Sequence, residues 1–250
     1  MTRAMPPLQA IAITPGDPCG IGPEIIAKAY LKDALAPSTA GPAVTHRCFV
    51  AGDVQLMEKA VGLVDPTGQH LRVRQIQNAD ESCDCPVGVL PVLQVAKLSD
   101  ALAWGQIQAE AGRFAGECVQ WAARAALQNK IAAVVTAPLH KEALFAAGVP
   151  FPGHTELLQA CAAAHAGVAV EDMPVRMMLA NPELRTVLVS IHVSLRQAIE
   201  AVTVDNILQT LRITHAAHLA ATGQAPHMAV AGLNPHAGEG GLMGREELDI

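Results

Sequence analysis

Histidines that follow apolar runs are the residues with the clearest chemical potential in this sequence. His192 ends the run LRTVLVSIH, and His236 follows the run HMAVAGL within the segment LNPHAGEGG. Neutral imidazole is a common ligand of divalent metals, and a catalytic metal site uses about three protein ligands and keeps one position open for substrate. The two rings could therefore meet at one cation if both runs are strands. A histidine at the end of a strand can also be purely structural, and the spacing alone leaves both interpretations open.

A second polar pair, His154 and Thr155, follows Gly153 in the segment FPGHTE. The imidazole and the hydroxyl can both donate hydrogen bonds to an anionic ligand. Thr155 could also cap the helix ELLQACAAA, and the two roles are compatible. Lys141, in the segment TAPLHKEAL, could contact a phosphate or a carboxylate. Alternatively, Lys141 lies in the solvated first turn of the following helix.

Two glycine-rich segments resemble phosphate loops only superficially. In ITPGDPCGIGPE the glycines fall at positions 16, 20 and 22, which is neither the G-x-G-x-x-G fingerprint nor a Walker loop. The segment could form a structural turn or a binding loop before a helix that has Pro23 in its first turn. In GEGGLMG, Met243 stands where the third glycine of the fingerprint is needed. The spacing therefore argues against a standard Rossmann reductase.

The elements that would position these residues follow an alternating order. Apolar runs rich in β-branched residues, such as LQAIAIT, RCFVAG and IAAVVTAP, are each followed by a segment with helical periodicity, which is typical of an α/β fold. The longest helical pattern starts at Ser99 or Asp100 and continues to Asn129. The polar, turn-rich region 67–92 predicts a loop between layers. Composition changes little along the chain, so the sequence places no internal domain boundary.

Composition limits the class of protein. Hydrophobic residues make up 51% of the 250 residues and charged residues 16%, so the chain has ample material for a buried core. The net charge of −6 and the low aromatic content of 3% argue against a nucleic-acid partner. The start MTRAMPPLQAIAIT lacks the features of a signal peptide, which favours a cytoplasmic protein with reduced cysteines. The uncharged stretch Leu157 to Val170 is too short to cross a membrane.

Five segments in this order give the chain a family resemblance: ITPGDPCGIGPEI, VVTAPLHKEAL, FPGHTELL, MMLANPELRTVLVSIHVSLRQAI and VAGLNPHAGEGGLMGREELDI. Together they resemble the 4-hydroxythreonine-4-phosphate dehydrogenase family over nearly the whole chain. The resemblance implies oxidation and decarboxylation of 4-phosphooxy-L-threonine, with NAD or NADP, to 3-amino-2-oxopropyl phosphate. That reaction belongs to the biosynthesis of pyridoxal phosphate, and a divalent metal (zinc, magnesium or cobalt) supports it.

The resemblance also implies roles for particular residues. His154 and Thr155 match the positions that contact the phosphorylated substrate, and His192 and His236 match two of three histidines that hold the metal. The third histidine and much of the cofactor site would lie outside this chain. The family is a homodimer whose active site takes metal ligands from both subunits. Its architecture resembles that of isocitrate and isopropylmalate dehydrogenases, with two α/β domains around a cleft.

Family members continue beyond the position of Ile250, so residues 1–250 are expected to form an incomplete two-domain dehydrogenase that lacks the C-terminal part. Related substrates remain open, because enzymes of the same architecture act on phospho-D-threonate or on cis-dihydrodiol acids. A further alternative from another class is a truncated remnant that binds a ligand or partner without catalysis.

Overall fold

The computed structural model describes residues 9–35, 47–99 and 101–250. The chain divides into two compact units, with the boundary between Met173 and Pro174. Within the described residues no helix is both long and apolar enough to cross a membrane.

The first unit contains a parallel sheet flanked by helices. Its strands are β1 Ile11–Thr14, β2 Cys48–Gly52, β3 Arg72–Ile76, β4 Val89–Gln94 and β5 Ala133–Thr136. Its helices are α1 Gly22–Leu35, α2 Val54–Val64, α3 Ala109–Leu127, α4 Lys141–Ala146 and α5 His154–Ala166. The strand order is β3-β4-β2-β1-β5, and every neighbouring pair is parallel. The α/β prediction is confirmed for this unit.

Strand β2 shows how the sheet is buried on both faces. Val50 packs with residues of α1 and α2, including Tyr30 and Met57, whereas Phe49 packs on the other face with Ala122 of α3. Successive strand side chains point to opposite faces, so an uninterrupted apolar strand suits a sheet covered on both sides. Helices α1 and α2 therefore cover one face of the sheet, and α3 covers the other.

This topology creates a switch point between β1 and β5. Strand β1 leads into α1 on one face of the sheet, while β5 leads into α4, which packs against α3 on the other face. Adjacent parallel strands whose connections leave on opposite faces open a crevice at their carboxyl ends, and ligands of open α/β sheets bind in such crevices. The loops after β1 and β5 are therefore the expected position of a ligand site in the first unit.

Two predictions for the first unit are wrong. Helix α3 begins at Ala109 and not at Ser99, whose amide and hydroxyl instead donate to the Glu110 carboxylate at 2.8 and 2.7 Å. Asp100, the other predicted start, lies outside the described residues. The chain between includes Gly105, whose φ of 69° is incompatible with a continuing helix.

The region 67–92, predicted as a loop, contains β3 and the beginning of β4. Strand β3 is an edge strand, and its residues Arg72, Arg74 and Gln75 are exposed. Only Ile76 of this strand is deeply buried. An edge strand carries so many polar side chains that its composition resembles that of a loop.

The second unit is built from short elements and one long helix. They are the antiparallel pair β6 Met178–Ala180 and β7 Arg185–Val187, and helices α6 Leu195–Glu200, α7 Val204–Thr222 and α8 Glu246–Asp249. The sequence predicts strands in the runs LRTVLVSIH and HMAVAGL. In the first run only Arg185–Val187 is a strand, and residues 227–233 of the second are irregular. His192 and His236 therefore lie in loops and do not end strands.

Candidate functional site

The loops after β1 and β5 are locked together at the switch point. The amide of Asp17 donates to the carbonyl oxygen of Pro138 at 2.9 Å. Gly16 has a φ of 69°, and a Cβ atom there would overlap the same carbonyl oxygen. Any side chain at Gly16 would force the two loops apart. Gly16 thus serves a tight turn, which is one of the two roles that the sequence left open for this segment.

The loop after β5 holds a half-buried histidine, His140, to which the sequence interpretation assigned no role. His140 immediately precedes α4, and its Nδ1 atom is buried without a hydrogen-bond partner among the described residues. Thr14, opposite Thr136 in the β1–β5 register, likewise has a buried Oγ1 without a partner there. Buried polar atoms normally make hydrogen bonds, so two buried atoms without one make the ends of β1 and β5 candidates for ligand contact. Their only sequence signal is their position at the end of an apolar strand.

Lys141 is the first residue of α4 and is exposed. This position matches the solvated first turn that we gave as the alternative to a ligand contact. Its contact with a phosphate or carboxylate stays a prediction.

Helix α5 begins at His154 and presents the predicted substrate pair in its first turn. Gly153 occupies the N-cap position and supplies no side chain, so Thr155 lies inside the helix and is not its cap. The first amides of such a helix point outward and favour a negatively charged group. Thr155 and His154 are both half-buried next to these amides. The structure therefore places one imidazole and one hydroxyl at a helix N-terminus whose N-cap residue has no side chain, with the carboxylate of Glu156 in the same first turn.

Burial changes the protonation of His154. Desolvation lowers the pKa of its imidazole below the ordinary value of 6.5, because a charged ring is disfavoured away from water. Its Nε2 atom is buried without a partner among the described residues. The ring is therefore neutral at pH 7, and it can either donate or accept a hydrogen bond through Nδ1.

His192 and His236 both lie in the second unit, on separate loops, and both are exposed. Their φ angles are 57° and 52°, in the left-handed region that residues other than glycine rarely adopt. Their imidazoles have the donor chemistry that zinc and cobalt prefer. Among the described residues no three His, Cys, Asp or Glu side chains lie close enough to hold a metal together. The two histidines therefore fit a metal by donor type, but the described residues do not complete its coordination.

The loop that carries His236 depends on a residue that the sequence interpretation missed. The Glu247 carboxylate accepts hydrogen bonds from the backbone amide of Asn234 at 2.7 Å and from its side-chain amide at 3.0 Å. These donors hold the pKa of Glu247 at about 2, well below its usual range, because they stabilise the carboxylate. A glutamate thirteen positions from its partner leaves no local pattern that would have identified it.

Comparison with known proteins identifies relatives over almost the whole chain. Residues 44–250 match the family described as pyridoxal phosphate biosynthetic protein PdxA. A relative from Beijerinckia indica, named 4-hydroxythreonine-4-phosphate dehydrogenase, is 44% identical over 240 residues, which are 96% of this chain and 65% of the relative. A relative from Cupriavidus necator, named D-threonate 4-phosphate dehydrogenase, is 36% identical over 96% of this chain and 66% of its own length.

Solved structures with a similar fold cover almost the whole chain. The crystal structure of 4-hydroxythreonine-4-phosphate dehydrogenase from Klebsiella pneumoniae matches with a TM-score of 0.79 and 34% identity, over 98% of this chain and 68% of that one. A terephthalate 1,2-cis-dihydrodiol dehydrogenase from Burkholderia xenovorans matches with a TM-score of 0.58 and 26% identity, over 97% of this chain and 67% of that one. The chain spans about two thirds of the length of these relatives. With a match over residues 44–250 and this degree of identity, the chain belongs to the PdxA family of pyridoxal phosphate biosynthetic proteins.

Proposed function

We propose that this chain serves the NAD- or NADP-dependent oxidation and decarboxylation of 4-phosphooxy-L-threonine to 3-amino-2-oxopropyl phosphate. The observation that carries the proposal is its 44% identity, over 96% of the chain, to a relative named for that dehydrogenase activity. In this reaction the substrate's carbinol carbon gives a hydride to the nicotinamide and its hydroxyl loses a proton. The resulting β-keto acid then releases carbon dioxide.

The first unit would bind the phosphorylated substrate through His154 and Thr155. A neutral imidazole and a hydroxyl beside the first amides of a helix suit an anionic group, because each can donate a hydrogen bond to it. Half-burial of both side chains would limit the number of substrate orientations. Loss of either side chain is therefore expected to raise KM more than it lowers kcat.

The second unit would supply two metal ligands, His192 and His236. A bound divalent cation, whether zinc, magnesium or cobalt, supplies Lewis-acid stabilisation of negative charge on oxygen in both steps. The described residues form no cluster of three possible ligands, so the coordination needs a group from outside them. In our proposal that group comes with a homodimer whose subunits share the active site, in a two-domain architecture like that of isocitrate dehydrogenase. We place the enzyme in the cytoplasm.

Metal content measured together with turnover tests this assignment. NADH formation from 4-phosphooxy-L-threonine is followed with added Zn²⁺ and again after chelation, and bound metal is quantified by atomic emission. His192→Ala and His236→Ala should each lose both metal and activity. His227→Ala is the matched control, since His227 is an exposed histidine of the same unit. Full metal content in both ligand variants would show that the assignment is wrong.

A second candidate substrate is 4-phospho-D-threonate, which is favoured by the relatives from Cupriavidus necator and Salmonella typhimurium named for that activity. A cis-dihydrodiol acid is the third candidate, since a structural neighbour is named for such a substrate. Comparison of kcat/KM for the three compounds separates them, because the diol has no phosphate for His154 and Thr155 to bind. Metal binding without turnover on any of them would favour the non-catalytic alternative.

A further inference from the structure

The loop Pro235–Gly241 has an unusual backbone that its own sequence does not stabilise. Five consecutive residues, 236 to 240, have positive φ angles between 44° and 75°. Three of them are not glycine, and each such residue is disfavoured in this region because its Cβ crowds the following carbonyl. A turn of this kind persists only if the surrounding structure holds it.

Contacts of Glu247 provide that support from α8. One carboxylate oxygen accepts the backbone amide of Asn234, at the start of the loop, and the other accepts the side-chain amide of the same residue. The second oxygen also lies so close to Gly238, in the middle of the turn, that a Cβ there would be only 3.0 Å from it. The Asn234 side-chain amide donates a second hydrogen bond to the Glu246 carboxylate at 2.6 Å. The carboxylate of Glu247 thus contacts Asn234, which precedes the left-handed turn, and lies beside Gly238 at the centre of that turn.

We propose that Glu247 is a positioning residue, which holds the left-handed turn 236–240 and thereby sets the direction of the His236 side chain. Its effect on metal binding rests on the function proposed above, whereas its effect on the turn does not. Groups that orient a metal ligand without touching the metal typically change affinity by about 10- to 100-fold when they are removed.

Two readouts on the full chain test the proposal. Hydrogen–deuterium exchange of peptides covering 234–243 reports the turn directly, and titration with Co²⁺ alone reports metal affinity. Glu247→Ala should raise exchange in the loop and weaken Co²⁺ binding about tenfold. Glu247→Gln retains one acceptor oxygen and should fall between this variant and the wild type. Asp249→Ala is the matched control, because Asp249 lies on the same short helix and pairs with Arg245.

The outcomes distinguish the effect of Glu247 on the turn from its effect on metal binding. Unchanged exchange in both Glu247 variants, at the level of the Asp249 control, would overturn it. A second result would also overturn the proposal: the Glu247 variants loosen the loop but keep the wild-type Co²⁺ affinity, while His236→Ala weakens Co²⁺ binding. If His236→Ala itself leaves Co²⁺ affinity unchanged, the proposed metal ligand is wrong, and the exchange data still decide whether Glu247 holds the turn. Exchange in α7 shows whether a variant has lost the fold of the unit as a whole.

Discussion

Replacing Gly112 with alanine should separate α3 from α4 and destabilise the first unit. Gly112 lies on the buried side of α3, where a Cβ atom would overlap the carbonyl oxygen of Ala143 and lie 2.6 Å from the amide nitrogen of Leu144. Both neighbouring atoms belong to the backbone of α4, so no side-chain rotation can relieve the overlap. Helix α4 would have to move, and with it the loop that carries His140.

The size of the effect follows from two opposing terms. Alanine in place of glycine inside a helix normally gains about 1 kcal/mol of stability. Forcing extra volume into a packed contact costs about 1–3 kcal/mol, and we expect the upper end or more because the obstructing atoms are backbone. The net loss should therefore be about 2 kcal/mol. Gly116→Ala is the matched control on the same helix, because its Cβ would meet only Val149 and Leu144 side-chain atoms at 3.4 and 3.8 Å. That variant should gain about 1 kcal/mol.

Urea unfolding followed by tryptophan fluorescence measures the stability of the first unit. Both tryptophans, Trp104 and Trp121, belong to the first unit, and Trp121 packs edge-on against Phe49 with ring centroids 6.2 Å apart. With a slope of about 2 kcal/mol per molar urea, Gly112→Ala should lower the midpoint by about 1 M. A midpoint equal to that of the wild type would refute the reasoning. So would an equal loss in Gly116→Ala, since steric overlap would then not be the cause.

Two further predictions concern single side chains of the first unit. Tyr30→Phe should cost about 1 kcal/mol in the same titration, because the buried hydroxyl donates to the carbonyl oxygen of Cys48 at 2.7 Å; an unchanged midpoint would mean that this bond adds nothing. His154→Asn should reduce the loss of stability on acidification from about pH 7.5 to about pH 5.5. Burial lowers the pKa of His154, so the unfolded chain binds the proton more readily, and stability present above pH 6.5 is lost as the pH falls. Equal pH dependence of the unfolding free energy in variant and wild type would contradict this.

The centre of the first unit was predictable because its strands are buried on both faces. Strand β2, with Phe49 on one face and Val50 on the other, has the uninterrupted apolar run that is typical of a strand covered on both faces. Strand β3 escaped prediction because an edge strand exposes residues such as Arg72 and Arg74. The start of α3 escaped prediction because residues before Ala109 have helical composition. Gly105 nevertheless turns the chain there, and its amide donates to the backbone carbonyl oxygen of Cys19 at 2.8 Å. Composition over a window registers burial, but it does not register a single turn.

The second unit shows the opposite error. The run ending at His192 and the run before His236 are apolar enough for strands, yet only Arg185–Val187 pairs, and its partner is β6. A strand is stabilised by hydrogen bonds to a neighbour, so an apolar run predicts a strand only where a partner strand is available. That availability depends on the whole fold and is absent from the local pattern.

Among the candidate site residues, the adjacent pair was easier to predict than the distant ones. His154 and Thr155 share the first turn of α5 because they are neighbours in sequence, and this requires only the helix start to be approximately correct. Glu247 lies thirteen positions from Asn234, and only the folded chain reveals their hydrogen bonds. A residue that acts through another residue is therefore identified from the structure and not from the sequence.

Backbone strain gives evidence about the two candidate metal ligands that does not depend on family resemblance. Among the described residues, six that are not glycine have positive φ angles, and four of these are His192 and three members of the turn 236–240. Each costs roughly 1–2 kcal/mol relative to a right-handed conformation. Such conformations concentrate at ligand sites, where the surrounding structure holds them. The two histidines chosen for their imidazole chemistry thus also lie where the backbone is most strained, and a bound cation would use the side-chain directions that this strain imposes.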